Sequence, residues 1–393
     1  MNAERGLFLA LIAVLIGFGT LMVYSASITS WPTDFEQAYL SRHLAFLLLG
    51  IGLAAAAAHV PAEQWRRLAP VLFVVTVALL VLVLMPGFGV KINGARRWLR
   101  FGGFSLQPSE LAKLALPLLL ARMMAVGWAV PTIGGLKAKT SAGGGHSPPY
   151  RWTVSRRLLL LLPAAVVVPL VVKEPDLGTA VFLLVGCAVA LFAGGWPLRY
   201  FVVLGTIAIP AGVALMSLKP YQMERITGFL SAWDDFEQAP YQLKQSILTL
   251  GSGGLNGVGI GKGRQKLSFL PEANTDFVFA VVGEELGLIG TVAIVALWIA
   301  LYVVGLRMLR RLPPRSFESI AGFTLLTQLV LQAALNVAVV TALVPPKGIS
   351  HPFLSSGGSN LVMSLITIGV LVSLSKESDA EADWPRGSAD QTD

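Results

Sequence analysis

The chain has 393 residues, 54% of them hydrophobic and only 13% charged, with a mean hydropathy of +0.69. A soluble domain carries about 25% charged residues, so these polar side chains could not cover a water-facing surface. The net charge of +8 comes from Lys and Arg spread over many loops, which suits anionic lipid headgroups and argues against a focused nucleic-acid-binding face.

A bilayer core of about 30 Å needs about 20 mostly apolar residues in a helix. Long uncharged runs such as 71–85, 159–172 and 361–374 favour helices over barrel strands. Ten spans are predicted in chain order, at 6–27, 43–60, 68–87, 107–127, 157–173, 176–195, 199–218, 277–305, 317–342 and 358–375. The first is long for a signal peptide and has no convincing small-residue cleavage site, so it reads as retained. The turn Lys173-Glu174-Pro175-Asp176 joins the fifth and sixth spans as a hairpin. The expected fold class is all-α, a polytopic integral membrane protein with one ten-helix domain over 1–375. That domain includes a flexible cytoplasmic loop at 128–156 and a large external loop at 219–276, between helices seven and eight. Residues 376–393 are polar and acidic and read as a disordered cytoplasmic tail. The lone Cys187 falls inside an apolar span and reads as a small core residue.

The Lys and Arg bias sets the orientation. With both termini cytoplasmic, the inner loops collect Arg5, Arg66, Arg67, Arg122, Arg199, Arg307, Arg310 and Arg311. Two external segments break the bias. Residues 88–106 hold Lys91, Arg96, Arg97 and Arg100, and 219–276 holds Lys219, Arg225, Lys244, Lys262, Arg264 and Lys266. These are either tolerated charges or cations that meet an anionic ligand outside. Trp98, beside the two arginines, suits the headgroup level.

Ionisable residues within or at the ends of apolar spans are costly and usually functional. Glu110 and Lys113, three apart behind Pro108, share one helix face near the start of the fourth span. They form either a structural ion pair or a lysine oriented toward a phosphate. Asp176 stands where the sixth helix begins, as an N-cap or as a functional carboxylate. The glycine-dense run 251–263 fits no nucleotide-binding spacing. It either wraps backbone donors around an anion or is simply flexible. Pro352 to Asn360, containing Ser356, is a second small-residue loop that enters the last span. The most informative stretch is Thr275 to Glu285, which puts Asp276 at the mouth of an apolar helix, behind a loop with Lys262, Arg264 and Lys266. A carboxylate beside cations at a membrane surface suits chemistry on an anionic, lipid-linked substrate.

Six motifs then line up in order. Asn93-Gly94-Ala95-Arg96-Arg97-Trp98, Gln107 to Lys113, Glu174-Pro175-Asp176-Leu177-Gly178-Thr179, Leu270 to Phe277, Gly283 to Gly287, and Pro352 to Gly358 resemble those of the SEDS family. Its members FtsW, RodA and SpoVE are bacterial division, shape and sporulation proteins. Residues 93–99 and Pro346-Lys347-Gly348 look more like the division branch, FtsW, than the elongation branch. The last loop departs from the family. Ser356 stands where Tyr is usual, Asn360 where Ser is usual, and His351 replaces a commonly apolar residue.

The resemblance implies a peptidoglycan glycosyltransferase of the bacterial inner membrane. It would polymerise lipid II, a disaccharide pentapeptide on undecaprenyl diphosphate, at the external face. Converting an α-linked donor to a β-1,4 product needs one inverting displacement, hence one base and no covalent intermediate. Asp276 is the expected base. Arg96, Arg97, Lys113, Lys262 and Lys266 are expected to meet the leaving diphosphate, with Ser356 in a substrate-binding loop and Glu110 and Asp176 shaping the cavity. A divalent cation, Mg or Mn, is left open, and its ligands are unknown. The implied partners are a class B penicillin-binding protein that supplies transpeptidation, other divisome proteins and membrane lipids, with no nucleic acid. Two rival readings are a lipid II flippase and a non-catalytic division scaffold. The ionisable residues cluster near the expected external side, which favours external chemistry.

Overall fold

The computed structural model describes residues 3–27, 34–92, 95–101, 104–126, 154–217, 220–266 and 269–382. The first seven predicted spans fall on α1 (Ala3–Ser27), α2 (Asp34–His59), α3 (Ala62–Leu84), α4 (Pro108–Val126), α5 (Val154–Lys173), α6 (Leu177–Ala193) and α7 (Leu198–Ser217). Two shorter helices follow, α8 (Pro220–Asp234) and α9 (Tyr241–Ser252), and the last three spans fall on α10 (Val278–Leu309), α11 (Phe317–Val340) and α12 (Gly358–Ala382). Among the described residues α1, α2, α3, α10, α11 and α12 contain segments long and apolar enough to cross a membrane, and α5, α6 and α7 carry shorter apolar segments.

Burial follows the logic of a lipid solvent. Leu48, Val74, Leu158, Ile207, Ile289 and Ile299 all point outward from the bundle. Glu110, Gln328, Gln332 and Asn336 point inward. Ionisable and amide side chains in apolar spans face the interior because hydrocarbon offers them no partner. Helix α11 sits centrally and packs against α4, α6, α9, α10 and α12, while α2 lies along α12.

Two regions depart from expectation. The 88–106 segment is a small antiparallel sheet in the order β1-β2-β3, with β1 at Gly89–Ile92, β2 at Ala95–Phe101 and β3 at Phe104–Leu106. A bulge between Val90 and Lys91 pairs Lys91 with Arg96. The sheet rests on α3 and α4. The 219–276 segment holds α8 and α9. In addition, α12 runs on to Ala382, so helix continues into the first part of the expected tail. The remainder of that tail, most of the 128–156 loop, and Asn93 with Gly94 lie outside the described residues.

Helix α10 is two helices joined at Gly287, whose φ of 66° and ψ of −163° leave the helical region. Every residue from Val278 to Glu285 is buried. A Cβ at Gly287 would lie 2.4 Å from the Gly257 nitrogen. The glycine therefore answers both a backbone conformation that other residues resist and the close approach of the glycine-rich loop. Gly287→Ala should lower stability by at least the ~1–3 kcal/mol expected of a strained backbone residue. Thermal unfolding in detergent measures this, and an unchanged midpoint would contradict it.

Candidate functional site

Asp276 lies half-buried in the turn that enters α10. The turn is closed by Thr275 and Phe277 N–H groups donating to the Glu272 carbonyl, both at 3.1 Å. Three consecutive carbonyls of this turn are then held from outside. Ser356 donates to the Asn274 carbonyl through its N–H at 2.9 Å and its hydroxyl at 2.8 Å. Ser355 Oγ donates to the Thr275 carbonyl at 2.5 Å. Asn336 Nδ2, on α11, donates at 2.7 Å to both the Asp276 and the Ile349 carbonyls. The small residues of the 350–358 loop thus serve to dock this turn.

Among the described residues the Asp276 carboxylate accepts one hydrogen bond, from Ser350 Oγ to Oδ1 at 3.3 Å. Burial, reinforced by the Glu272 carboxylate, pushes its pKa up to about 6, against the lowering effect of Ser350. Asp176 raises it further and Arg97 lowers it, so both belong to its electrostatic surroundings. An Asp in this state is ionised at neutral pH yet is a much better proton acceptor than a free aspartate.

Asp176 caps α6 by accepting from the Thr179 N–H at 3.1 Å and the Thr179 hydroxyl at 2.9 Å. Gln107 Nε2 donates to it at 3.3 Å, and Arg97 Nη1 lies 3.9 Å away. Arg97 also donates to the carbonyls of Glu174 and Pro175, at 3.1 and 2.5 Å. Those carbonyls close the C-terminal end of α5, where a cation is favoured. Glu174 is fully buried, and among the described residues neither carboxylate oxygen has a hydrogen-bond partner. Burial and the neighbouring Asp176 charge push its pKa up to about 8. Lys347, on the loop after α11, packs against Gly178. Its pKa is lowered by burial, with Asp176 opposing the shift.

Glu110 and Lys113 do pair, at 2.6 Å. Lys113 Nζ also donates to Gln332 Oε1 at 3.0 Å, and Gln332 Nε2 donates to the Ser350 carbonyl and to Asn360 Oδ1, both at 2.9 Å. The ion pair is thereby tied to the loop that bonds Asp276. A cavity of about 30 Å³, lined by Glu110, Lys113, Phe182, Gln328, Gln332 and Asn360 among others, adjoins this chain of bonds.

Other expected site residues stand apart. Arg96 is exposed, on the opposite face of β2 from Arg97. Lys262 is exposed on the glycine-rich loop. Lys266 is buried and committed elsewhere, which corrects its expected place among the substrate cations. Its Nζ meets Glu285 Oε1 at 2.7 Å and the Ser25 carbonyl and hydroxyl at 2.8 and 2.9 Å. The glycine-rich loop cradles the carboxylates of α10. Gly261 N–H donates to Glu285 Oε2 at 3.0 Å, and the Arg264 and Gln265 N–H groups donate to Glu284 Oε1 at 2.7 and 3.2 Å. So the loop does wrap donors around an anion, and that anion is the protein's own. Ser356 supports the Asp276 turn through Asn274.

The sequence reading missed Gln332, Asn336, Ser350 and Lys347. A signal existed for two of them. Gln328, Gln332 and Asn336 recur every four residues in an otherwise apolar span, which marks one polar helix face. Among the described residues, no three His, Cys, Asp or Glu side chains converge as a metal cage.

Comparison with known proteins places these residues in a family. The family model of FtsW, RodA and SpoVE, described as cell cycle protein, matches residues 5–380. The chain is 38% identical over 369 residues to a probable peptidoglycan glycosyltransferase FtsW from Geobacter sp. strain M18, covering 93% of this chain and 95% of the relative. It is 36% identical over 367 residues to the stage V sporulation protein E of Bacillus subtilis, with the same coverage. Among solved structures it resembles a chain of a peptidoglycan synthase complex that coordinates polymerization and crosslinking, with TM-score 0.74, 26% identity and coverage of 96% and 99%. It also resembles the rod shape determining protein RodA of Thermus thermophilus, with TM-score 0.64, 27% identity and coverage of 94% and 96%.

The Lys266 assignment is testable. Removing one member of a buried ion pair strands the other charge and costs about 3–5 kcal/mol. Lys266→Met should therefore unfold at markedly lower temperature than wild type, and adding Glu285→Gln should recover part of the loss. Full stability of Lys266→Met would return the lysine to the list of free cations.

Proposed function

This chain belongs to the FtsW, RodA and SpoVE family, a family of multi-pass membrane proteins, and from that premise we propose that it is a peptidoglycan glycosyltransferase. It polymerises lipid II at the external face of the bacterial cytoplasmic membrane, with ten crossings and both termini inside. The observation that carries this reading is Asp276, a carboxylate fixed by its backbone and tuned to a pKa of about 6. A sugar hydroxyl is a poor nucleophile at neutral pH, and a positioned base of this strength can take its proton as attack proceeds.

In the proposed reaction the acceptor hydroxyl gives its proton to Asp276 as its oxygen bonds to the anomeric carbon of the donor. The bond from that carbon to the diphosphate breaks on the opposite face, and undecaprenyl diphosphate leaves with the electron pair. The proton then passes from Asp276 to water. The configuration inverts once, so no sugar is held covalently by the enzyme. Arg97 supplies positive charge near the base, Lys347 lies beside Asp176, and Arg96 and Lys262 are exposed for a diphosphate to reach. Removing one such donor typically costs about 10²–10³ in rate. A divalent cation would supply further positive charge to the phosphates, although the described residues offer no three-ligand cage for it. Septal rather than elongation synthesis is favoured by the division-type motif at 93–99 and by the FtsW relative. The polymerising and crosslinking complex among the structural relatives favours a class B penicillin-binding protein as partner.

The test supplies labelled lipid II to the purified chain, alone and with its penicillin-binding protein. Wild type should make glycan polymer, and Asp276→Ala and Asp276→Asn should lose about 10²–10⁴ in rate while keeping their fold. Polymer from both variants would remove Asp276 from the chemistry. No polymer from wild type with partner and divalent cation would turn the reading toward transport or scaffolding.

A further inference from the structure

The two oxygens of Asp276 have different surroundings. Oδ1 accepts the Ser350 hydroxyl. Oδ2 lies over Gly348, where a built Cβ would stand 2.9 Å from it and 3.9 Å from Cγ. Gly348 is exposed, so this oxygen borders a gap in the loop that any side chain would narrow. One loop, Pro346 to Ser350, therefore tethers one carboxylate oxygen and leaves an opening beside the other.

We propose that Ser350 is a positioning residue that fixes Asp276 through Oδ1, that Oδ2 is the oxygen that takes the proton, and that Gly348 is the gap through which the acceptor sugar hydroxyl reaches it. The inference rests on the reading of Asp276 as base.

The loop that makes this arrangement is itself held. Asn336 binds the Ile349 carbonyl, and Gln332 binds the Ser350 carbonyl at 2.9 Å. The Ser350 hydroxyl is thus presented from a backbone anchored on both sides to α11. The hydroxyl hydrogen bond has a second effect. A donor to a carboxylate favours its ionised form, and Ser350 opposes the upward push on Asp276 from burial, Glu272 and Asp176, in the same sense as Arg97. Losing the hydroxyl should raise the pKa of the base, so its ionised fraction would begin to fall at a higher pH than the wild-type region near 6. The Gly348 gap has a separate consequence. Filling it would put a Cβ 2.9 Å from Oδ2, which obstructs the approach of the acceptor and crowds the carboxylate while the Ser350 hydroxyl is kept.

The experiment measures polymerisation of labelled lipid II by the chain in complex with its penicillin-binding protein, from pH 5 to pH 8. Wild type, Ser350→Ala, Ser350→Thr, Gly348→Ala and Asp276→Asn are compared, each checked by thermal unfolding. Ser350→Ala should lose about tenfold in kcat with little change in KM, and its acidic limb should move to higher pH. Ser350→Thr keeps the hydroxyl and should restore both. Gly348→Ala keeps the Ser350 hydroxyl and should still lose rate. A wild-type profile from Ser350→Ala, or no rescue by Ser350→Thr when both are folded, overturns the role of Ser350. A wild-type rate from Gly348→Ala overturns the gap. If Ser350→Ala does not fold, Ser350→Cys, near-isosteric but a much weaker donor, takes its place, and a wild-type acidic limb from it overturns the role of Ser350. Activity in Asp276→Asn would instead sink the underlying base assignment, and the two failures are separate readings of one plate.

Discussion

Three consecutive backbone carbonyls, those of Asn274, Thr275 and Asp276, are each captured by a side chain from α11 or from the loop before α12. The rest of the site depends on that capture. A catalytic carboxylate on a free loop would visit many positions, and ordering one residue's backbone costs about 1–2 kcal/mol. Here the ordering is built into the fold. The short hydroxyl side chains of Ser355 and Ser356 reach two of these carbonyls directly.

The same region shows two ways of keeping a carboxylate beside apolar helices. Glu284 and Glu285 are matched donor for donor by Lys266, Ser25 and the backbone of the glycine-rich loop. Full matching offsets the several kcal/mol that desolvation of a charge costs, and it makes these groups inert pieces of architecture. Asp276 is matched once, and Glu174 is buried without a partner among the described residues. Burial with incomplete matching leaves both pKa values raised. The distribution of donors therefore separates carboxylates that are fully matched from those that are not.

Much of this was legible in the sequence, for identifiable reasons. The lipid solvent imposes long apolar runs, so all ten predicted spans fall on helices. Pro108 and Asp176 announced two helix starts through the chemistry of first turns and caps. The sheet at 89–106 was less legible because each strand is short and its charges read as loop. The Asn-Gly dipeptide at 93–94, flanked by Val90, Ile92 and Trp98, was a hairpin signal that deserved more weight. For the site, Asp276 and Asp176 were visible as carboxylates at helix mouths. The partners that hold them were not, because Asn336 and Ser350 meet Asp276 only through tertiary contacts 60 and 74 residues away. Lys266 was misplaced for the mirror-image reason. A lysine in a polar loop looks free in sequence, and only folding reveals that Glu285 already holds it.

The central claim is that Asp276 is a base whose environment has moved it to the edge of neutrality. The most direct measurement is the pH dependence of kcat/KM for polymerisation by the wild-type complex, which reports the ionisation of the free enzyme. Its carboxylate should be ionised above its raised pKa and protonated below it, so the rate should climb with pH and level off above a single limb near pH 6. A rate flat from pH 5 to pH 8, or a limb at the ordinary aspartate value, would contradict the account.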